Sequence, residues 1–516
     1  MDKCRDLVRL IALAVAFALV GSVGALFDPP ATKAIQSFWS DYNDDGEGDL
    51  AIGIPGERIG GNANAGAVQV IYGHNPDGFG TANQDFFHEN NLEATDGPSQ
   101  GDRFGAALAS ADFDDDGFSD LAIGIPGEDI GGTSMGIDRG AIVILWGSEN
   151  GLAEDPNVAI ETGPNRNFGS ALATIDMFNP AINQGNQADA IGDLVVADDR
   201  AVSFFVGGSR NFLNVPTTPR RLNVRGSDSL TSFRMVLAAG KLDADFPDEL
   251  IVGMPDKANA GIAGAGQIAV VDHITPANGT EFDVDFVGQE QLDFVSKAND
   301  NFGAAVAIGQ LIGEDTSVEE VLIGTPGRDV TFNGSSRNDA GVVYLPILGT
   351  ASVLSEASTG VPDDPEAGDR FGAALLINGF STTGGLGIAI GVPGEQLGSV
   401  DGAGAVIISE TAAGGSGTHR YLLSQNTTGV PGTAAAGDNF GATLASSDYD
   451  GVGAADLAIG VPNDNPTDVN NAGSVNVIYH DQTQLAGRTG DRLWSQATTG
   501  IPGTTQTNDK FGAALN

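Results

Sequence analysis

Apolar positions in this chain fall in short runs, each bounded by Gly, Pro, Asn or Asp, and a fixed phrase carries them. The clearest copy opens with Phe104-Gly105-Ala106-Ala107-Leu108. An acidic stretch from Asp112 to Asp120 follows, and then Leu121-Ala122-Ile123-Gly124-Ile125-Pro126. Phe104–Ala111, Asp120–Ile125, Gly140–Trp146 and the weaker Val158–Ile160 read as four short strands, because β-branched and apolar runs between turn residues suit a pleated, buried surface. No stretch beyond the N-terminal segment sustains a helical period.

The phrase repeats. Its opening phenylalanines are Phe104, Phe168, Phe233, Phe302, Phe371, Phe440 and Phe511, spaced 64 to 71 residues apart. That period exceeds the roughly 40–50 residues of most propeller repeats and leaves room for four strands with long loops. The Gly-x-Pro half recurs at Pro55, Pro126, Pro255, Pro326, Pro393 and Pro462, with a degenerate copy at Asp193–Ala197. Four short strands repeated radially describe a propeller blade. The expected fold is therefore all-β, a seven-bladed β-propeller of four-stranded blades. The small residues after each Phe let innermost strands approach closely, and the Phe fills the space between blades.

The two halves of the phrase are offset at the chain ends. The first unit has Lys33–Trp39 where Phe-Gly would stand, and the chain ends on an orphan copy, Lys510–Asn516. Two readings follow: the last strand completes the first blade, or it begins an eighth. Closure is preferred because it removes exposed sheet edges.

Composition narrows the setting. Lys3, Arg5 and Arg9 precede an apolar stretch, Leu10–Val20, and the small residues Val23-Gly24-Ala25. This pattern reads as a signal peptide over residues 1–25, leaving residues 26–516 as the propeller. The apolar stretch is shorter than the roughly 20 residues of a membrane span. The single cysteine, Cys4, lies inside that leader, so the exported chain needs staples other than disulfides. With 24 basic and 68 acidic residues the net charge is −44, which excludes nucleic acid as a partner. A monomer without a membrane span is expected, placed outside the cell.

The acidic stretches carry the candidate chemistry. Asp112, Asp114, Asp116 and Asp120 occupy positions 1, 3, 5 and 9 of a loop, with Gly117 at the turn and the Phe118 carbonyl as a further oxygen. Alternate oxygens converging on one point suit a hard, high-coordination ion, Ca²⁺. The first unit repeats the set as Asp41, Asn43, Asp45, the Glu47 carbonyl and Asp49. The seventh keeps Asp448, Asp450 and Asp456 but has Val452 at position 5. In the fourth unit Lys241 takes position 1, where an ammonium could replace the ion. The third unit is interrupted between Asn179 and Ala188, the fifth is out of register around Glu314 and Asp315, and the sixth, Gly379–Gly387, has no acid.

With Phe-Gly, the acidic loop and Gly-x-Pro in order, the chain resembles FG-GAP repeat proteins, the propeller of integrin α-subunits and its bacterial relatives. The resemblance extends over about residues 33–516. It implies calcium loops on one rim and ligand recognition on the opposite face. There the loops Gly56–Asn64, Gly127–Asp138, Gly327–Asp339, Gly394–Asp401 and Asn463–Asn471 would lie, with interblade segments such as Thr359–Pro362, Thr428–Pro431 and Thr499–Pro502.

Three functional readings remain open: a binding or adhesion module for an extracellular protein or polysaccharide, a hydrolase or an accessory part of one, and a surface scaffold. No Gly-x-Ser-x-Gly, no His-Glu-x-x-His and no usable Cys nucleophile is present, so a non-enzymatic role is expected. His74, His273 and His480 recur after the third strand and read as turn residues. The basic cluster Arg220, Arg221 and Arg225 either meets an acidic ligand or is paired locally in an interblade loop.

Overall fold

The computed structural model describes residues 40–74, 78–92, 97–129, 138–153, 157–160, 166–177, 191–208, 210, 220–224, 234–243, 248–272, 282–311, 318–347, 350–380, 387–411, 418–452, 454–480, 485 and 490–516. The leader, Lys33–Trp39, Phe233, Arg225, His273, the third-unit interruption and the Glu314–Asp315 stretch lie outside them.

Seven four-stranded antiparallel sheets form, with one small two-stranded hairpin beside them. In the second blade the strands are Ala107–Ala111, Asp120–Ile125, Ala141–Leu145 and Asn157–Ile160, paired in that order. The innermost strands of successive blades lie side by side around the ring. The C-terminal strand Ala514–Leu515 pairs with Leu50–Ile54 as the innermost strand of the first blade. It also packs against the innermost strands of the second and seventh blades, so the ring closes with seven blades.

The core is divided among the junctions. Second strands such as Leu50–Ile54 and Asp120–Ile125 are buried along their whole length. Successive side chains alternate between faces, and each face meets a different neighbour. Leu121, Ile123 and Ile125 join a cluster with the first blade, whereas Ala122 joins one with the third. This is why the runs read as continuously apolar rather than alternating.

The recurrent phrase is the joint between blades. The Phe104 N–H donates to the Ala65 carbonyl of the preceding blade at 2.9 Å. Phe302, Phe371, Phe440 and Phe511 repeat this bond on Ala265, Ala340, Ala403 and Ala472 at 2.9–3.1 Å, and all are fully buried. The glycine after each Phe lies at φ +82 to +87°, and its N–H donates to the Gly-x-Pro glycine of its own blade, as Gly105 does to Gly124 at 3.1 Å. That Gly-x-Pro glycine in turn faces the next blade. A Cβ on Gly124 would lie 2.0 Å from the Gly169 carbonyl, and one on Gly391 would lie 2.1 Å from Gly441 O. Two glycines of different blades therefore need each other at every joint of this kind. The third blade carries Ala197 in place of the Gly-x-Pro glycine, and there the next phrase reads Phe233-Arg234. Ring closure uses the same joint: Gly512 N–H donates to Gly53 O at 3.2 Å.

Gly391→Ala is expected to destabilise the ring by about 1–3 kcal/mol through forced overpacking. Phe440→Ala is expected to cost about 3–5 kcal/mol. Gly379→Ala, where an added Cβ meets open space, serves as the control. Urea unfolding followed by tryptophan fluorescence measures all three; equal midpoints for Gly391→Ala and Gly379→Ala would remove the steric argument.

Candidate metal centre

The acidic loops each lead into the second strand of their blade, so they share one rim. In the second blade the Asp112 side chain accepts N–H bonds from Asp116 at 3.2 Å and Gly117 at 2.9 Å, closing the turn. Asp116 Oδ1 accepts from Phe118 N–H at 3.1 Å. The first loop is built alike: Asp41 accepts from Asp45 at 3.2 Å and Gly46 at 3.0 Å, Asn43 from Asp45 at 3.1 Å, and Asp45 from Glu47 at 3.1 Å. Position 4 takes the left-handed conformation in both, at Asp44 and Asp115, followed by Gly46 and Gly117 at φ +93° and +95°. In the seventh blade Val452 N–H bonds both Asp448 and Asp450 at 3.0 Å, so the turn persists although position 5 has lost its carboxylate. Oxygens of Asp112, Asp114 and Asp120 lie within 4.8 Å of one another. That separation matches oxygens on a shell of about 2.4 Å radius around one calcium ion.

The position-9 acid has a second task. Asp120 Oδ2 accepts from Phe113 N–H and Oδ1 from Gly147 N–H, both at 2.8 Å. Asp49 joins Tyr42 and Gly73 in the same way at 2.7 and 2.9 Å, and Asp456 joins Tyr449 and His480 at 2.9 and 2.7 Å. The clamp also occurs where the acidic loop is absent: Asp193 holds Met177 and Gly207 at 2.6 and 2.7 Å, and Glu249 and Glu320 bond Leu242 and Leu311. Sequence reading assigned Asp49, Asp120 and Asp456 to the metal alone. The recurrence of an acid before the second strand in blades with no metal pattern was the available signal for a structural role.

Burial pushes the carboxyls of Asp120 and Asp456 up to about 8, and neighbouring carboxylates add to the shift. Asp41, Asp49, Asp112, Asp114 and Asp448 move in the same direction, each mainly through desolvation. Such a rim is short of positive charge, and a bound cation would lower every one of these values. One cation is supplied by the protein: Arg210, from the third blade, bonds Asp114 at 2.6 Å and Asp116 at 2.8 Å. Nothing in the sequence spacing placed it there.

Two expectations need correction. In the fourth blade the Lys241 side chain is exposed rather than seated in the loop, and Asp243, Glu249 and Asp272 gather there instead. The Arg220 cluster is not a loop: Arg220–Asn223 is the outermost strand of the third blade, and Arg221 pairs with Asp198.

Backbone hydrogen bonds link the loops around the rim. Gly48 N–H donates to Asp448 O at 2.8 Å, Ser119 to Asp41 O at 3.2 Å and Gly192 to Asp112 O at 2.8 Å. The carbonyl of each position-1 acid thus receives the next blade's loop. Because the ring closes, the seventh, first and second loops form one contiguous sector.

The FG-GAP repeat model matches residues 104–143, the unit that displays the phrase most clearly. Phosphatidylinositol-glycan-specific phospholipase D from Mus musculus is 39% identical over 122 residues, 23% of this chain and 14% of that protein. The Homo sapiens protein of the same name is 28% identical over 308 residues, 56% of this chain and 34% of its own length. Integrin alpha-PS5 from Drosophila melanogaster is 27% identical over 183 residues, 35% of this chain and 16% of that protein. The chain therefore spans at most about a third of the length of these relatives. Among the described residues no helix is long and apolar enough to cross a membrane.

The clamp predicts that Asp193→Ala destabilises the third blade by about 1–3 kcal/mol, the cost of stranding the buried Met177 N–H and the half-buried Gly207 N–H. The loss should be equal with calcium and with chelator. A loss seen only in calcium would assign Asp193 to a metal instead.

Proposed function

Taking the chain as a seven-bladed propeller that carries FG-GAP repeats, we propose that it is an exported, calcium-stabilised binding module for an extracellular protein or polysaccharide. The observation that carries this reading is the contiguous rim sector. Three acidic loops, in the seventh, first and second blades, share backbone hydrogen bonds and are crowded with carboxylates. Calcium there relieves the repulsion and staples the seam where the two described ends of the chain meet, a place with no disulfide to hold it. Asp41, Asn43, Asp45 and Asp49 hold one ion with the Glu47 carbonyl, and Asp112, Asp114, Asp116 and Asp120 hold another with the Phe118 carbonyl. Asp448, Asp450 and Asp456 form the poorest set. At the second loop Arg210 competes with the ion and must swing away for full coordination.

Recognition then falls to the opposite face. The Gly327–Asp339 loop there is itself a hairpin, Val330–Phe332 on Ser335–Arg337, while Gly56–Asn64 and Gly394–Asp401 are pinned by the bridges Ile59–Asn62 and Leu397–Val400. Loops braced in this way lose little entropy on binding. The closed ring leaves no innermost strand to recruit a second copy, which fits action as a monomer. The likeness to phospholipase D relatives supports a second reading, in which this propeller serves as an accessory part of a hydrolase.

Chelation should lower the melting temperature, and Asp116→Ala should remove part of that sensitivity; identical melting curves with and without chelator would sink the calcium reading. For recognition, the purified chain is applied to immobilised cell-surface polysaccharides and matrix proteins, and to a phosphatidylinositol-glycan substrate. Calcium-dependent retention without turnover is the expected outcome. Turnover that survives repurification would overturn it in favour of the hydrolase.

A further inference from the structure

The face opposite the acidic loops carries its own titratable groups. They come from three recurring places at each junction: the end of a blade's fourth strand, the residue two before the next Phe-Gly, and the residues after Gly-x-Pro. Antiparallel pairing brings these three to the same end of the blades.

Several junctions fill this position with a donor, while Glu89, Asp102 and Glu128 gather between the first and second blades. Between the fourth and fifth blades Gln289, Asp300 and Arg328 meet, and the Arg328 guanidinium donates to Asp300 at 3.0 Å and to Gln289. Between the third and fourth, the buried Lys257 ammonium donates to the Val224 carbonyl at 3.0 Å. Between the seventh and first, Gln496 Nε2 donates to Glu57 at 2.6 Å. Each of these last three junctions contains a cation or an amide donor.

Between the fifth and sixth blades the residues are Glu356, Asp369 and Glu395, with oxygens within 4.8 Å of one another. Glu395 is 0% exposed, Glu356 3% and Asp369 1%. Asp369 accepts the Glu366 N–H, whereas all four side-chain oxygens of Glu356 and Glu395 are buried and meet no donor but the carboxyls of the triad itself. A buried carboxylate without a donor costs several kcal/mol, so orphaned oxygens converging on one point require a positive partner. Burial and the neighbouring carboxylates push both Glu356 and Glu395 upward. The half-buried Asp363 and Glu366 also group with Glu395 and lead outward from it.

We propose that Glu356, Asp369 and Glu395 bind a hard divalent cation, of the calcium class, at the junction of the fifth and sixth blades on the face opposite the acidic loops. Three all-oxygen carboxylate ligands at these separations fit such an ion, and Asp363 and Glu366 line its path from solvent. The ion does for this junction what the Arg328 guanidinium does one blade earlier. It also ties the interblade segment between Glu356 and Asp369 to the Gly394–Asp401 loop.

The test is cation stoichiometry of the full chain after equilibration with Ca²⁺ or Mn²⁺ and desalting, read by elemental mass spectrometry. Glu395→Gln and Glu356→Gln should each carry one cation fewer per chain than wild type. Glu395→Arg, which copies the Arg328 junction, should also lose that cation while melting in chelator at or above the wild-type temperature. Asp116→Ala should leave this site filled, which separates it from the acidic-loop sites. Unchanged stoichiometry in both Glu395→Arg and Glu356→Gln overturns the proposal. So does a Glu395→Gln variant that gains stability in chelator at unchanged stoichiometry, because the triad then holds shared protons rather than a metal.

Discussion

Most of this ring depends on one close approach, made at six joints, between the glycine of Gly-x-Pro in one blade and the glycine of Phe-Gly in the next. With side chains there, the backbones could not come within the distances seen at Gly124 or Gly391. Once they do, the Phe N–H reaches the preceding blade, the following glycine turns back to its own, and the ring drops into a slot between two buried sheets. The two halves of the phrase, far apart in the unit, are thus two sides of one joint. The joint also explains closure: Phe511 and Gly512 engage Ala472 and Gly53 as any other pair would.

The two faces of the ring handle negative charge differently. On the acidic-loop rim, carboxylates first serve the backbone, capping turns and clamping strand ends, and only the remaining oxygens are available to an ion. On the opposite face, charge sits between blades, and the junctions differ in content: one holds an arginine, one a lysine, one a glutamine amide, and others gather carboxylates. A chain with a net charge of −44 and few lysines has limited means to neutralise such groups internally, which is the physical basis of the cation sites proposed above.

Blade number and strand number were legible from the repeats, because periodicity records packing that every unit must satisfy; the rim of the acidic loops was implied only by the family resemblance. The metal pattern was legible only in part. Asp112 through Asp120 spell a cation loop, but the same Asp120 is a backbone clamp, and Asp193 performs that task with no loop around it. Spacing cannot separate the two roles, since both place a carboxylate just before the second strand. Arg210 was invisible for another reason: it reaches Asp114 from another blade, across 96 residues of sequence.

By itself the sequence determined the radial repetition, the recurrent Phe-Gly and Gly-x-Pro phrases and the acidic loops, all properties of residues within one unit. Only the tertiary structure decided what depends on closure and on junctions. It made the seventh, first and second loops neighbours, turned the last strand into part of the first blade, and gathered Glu356, Asp369 and Glu395 from two blades and the segment between them. The physical reason is that burial and orphaned hydrogen-bonding groups are properties of a junction, and a junction is written in two units at once.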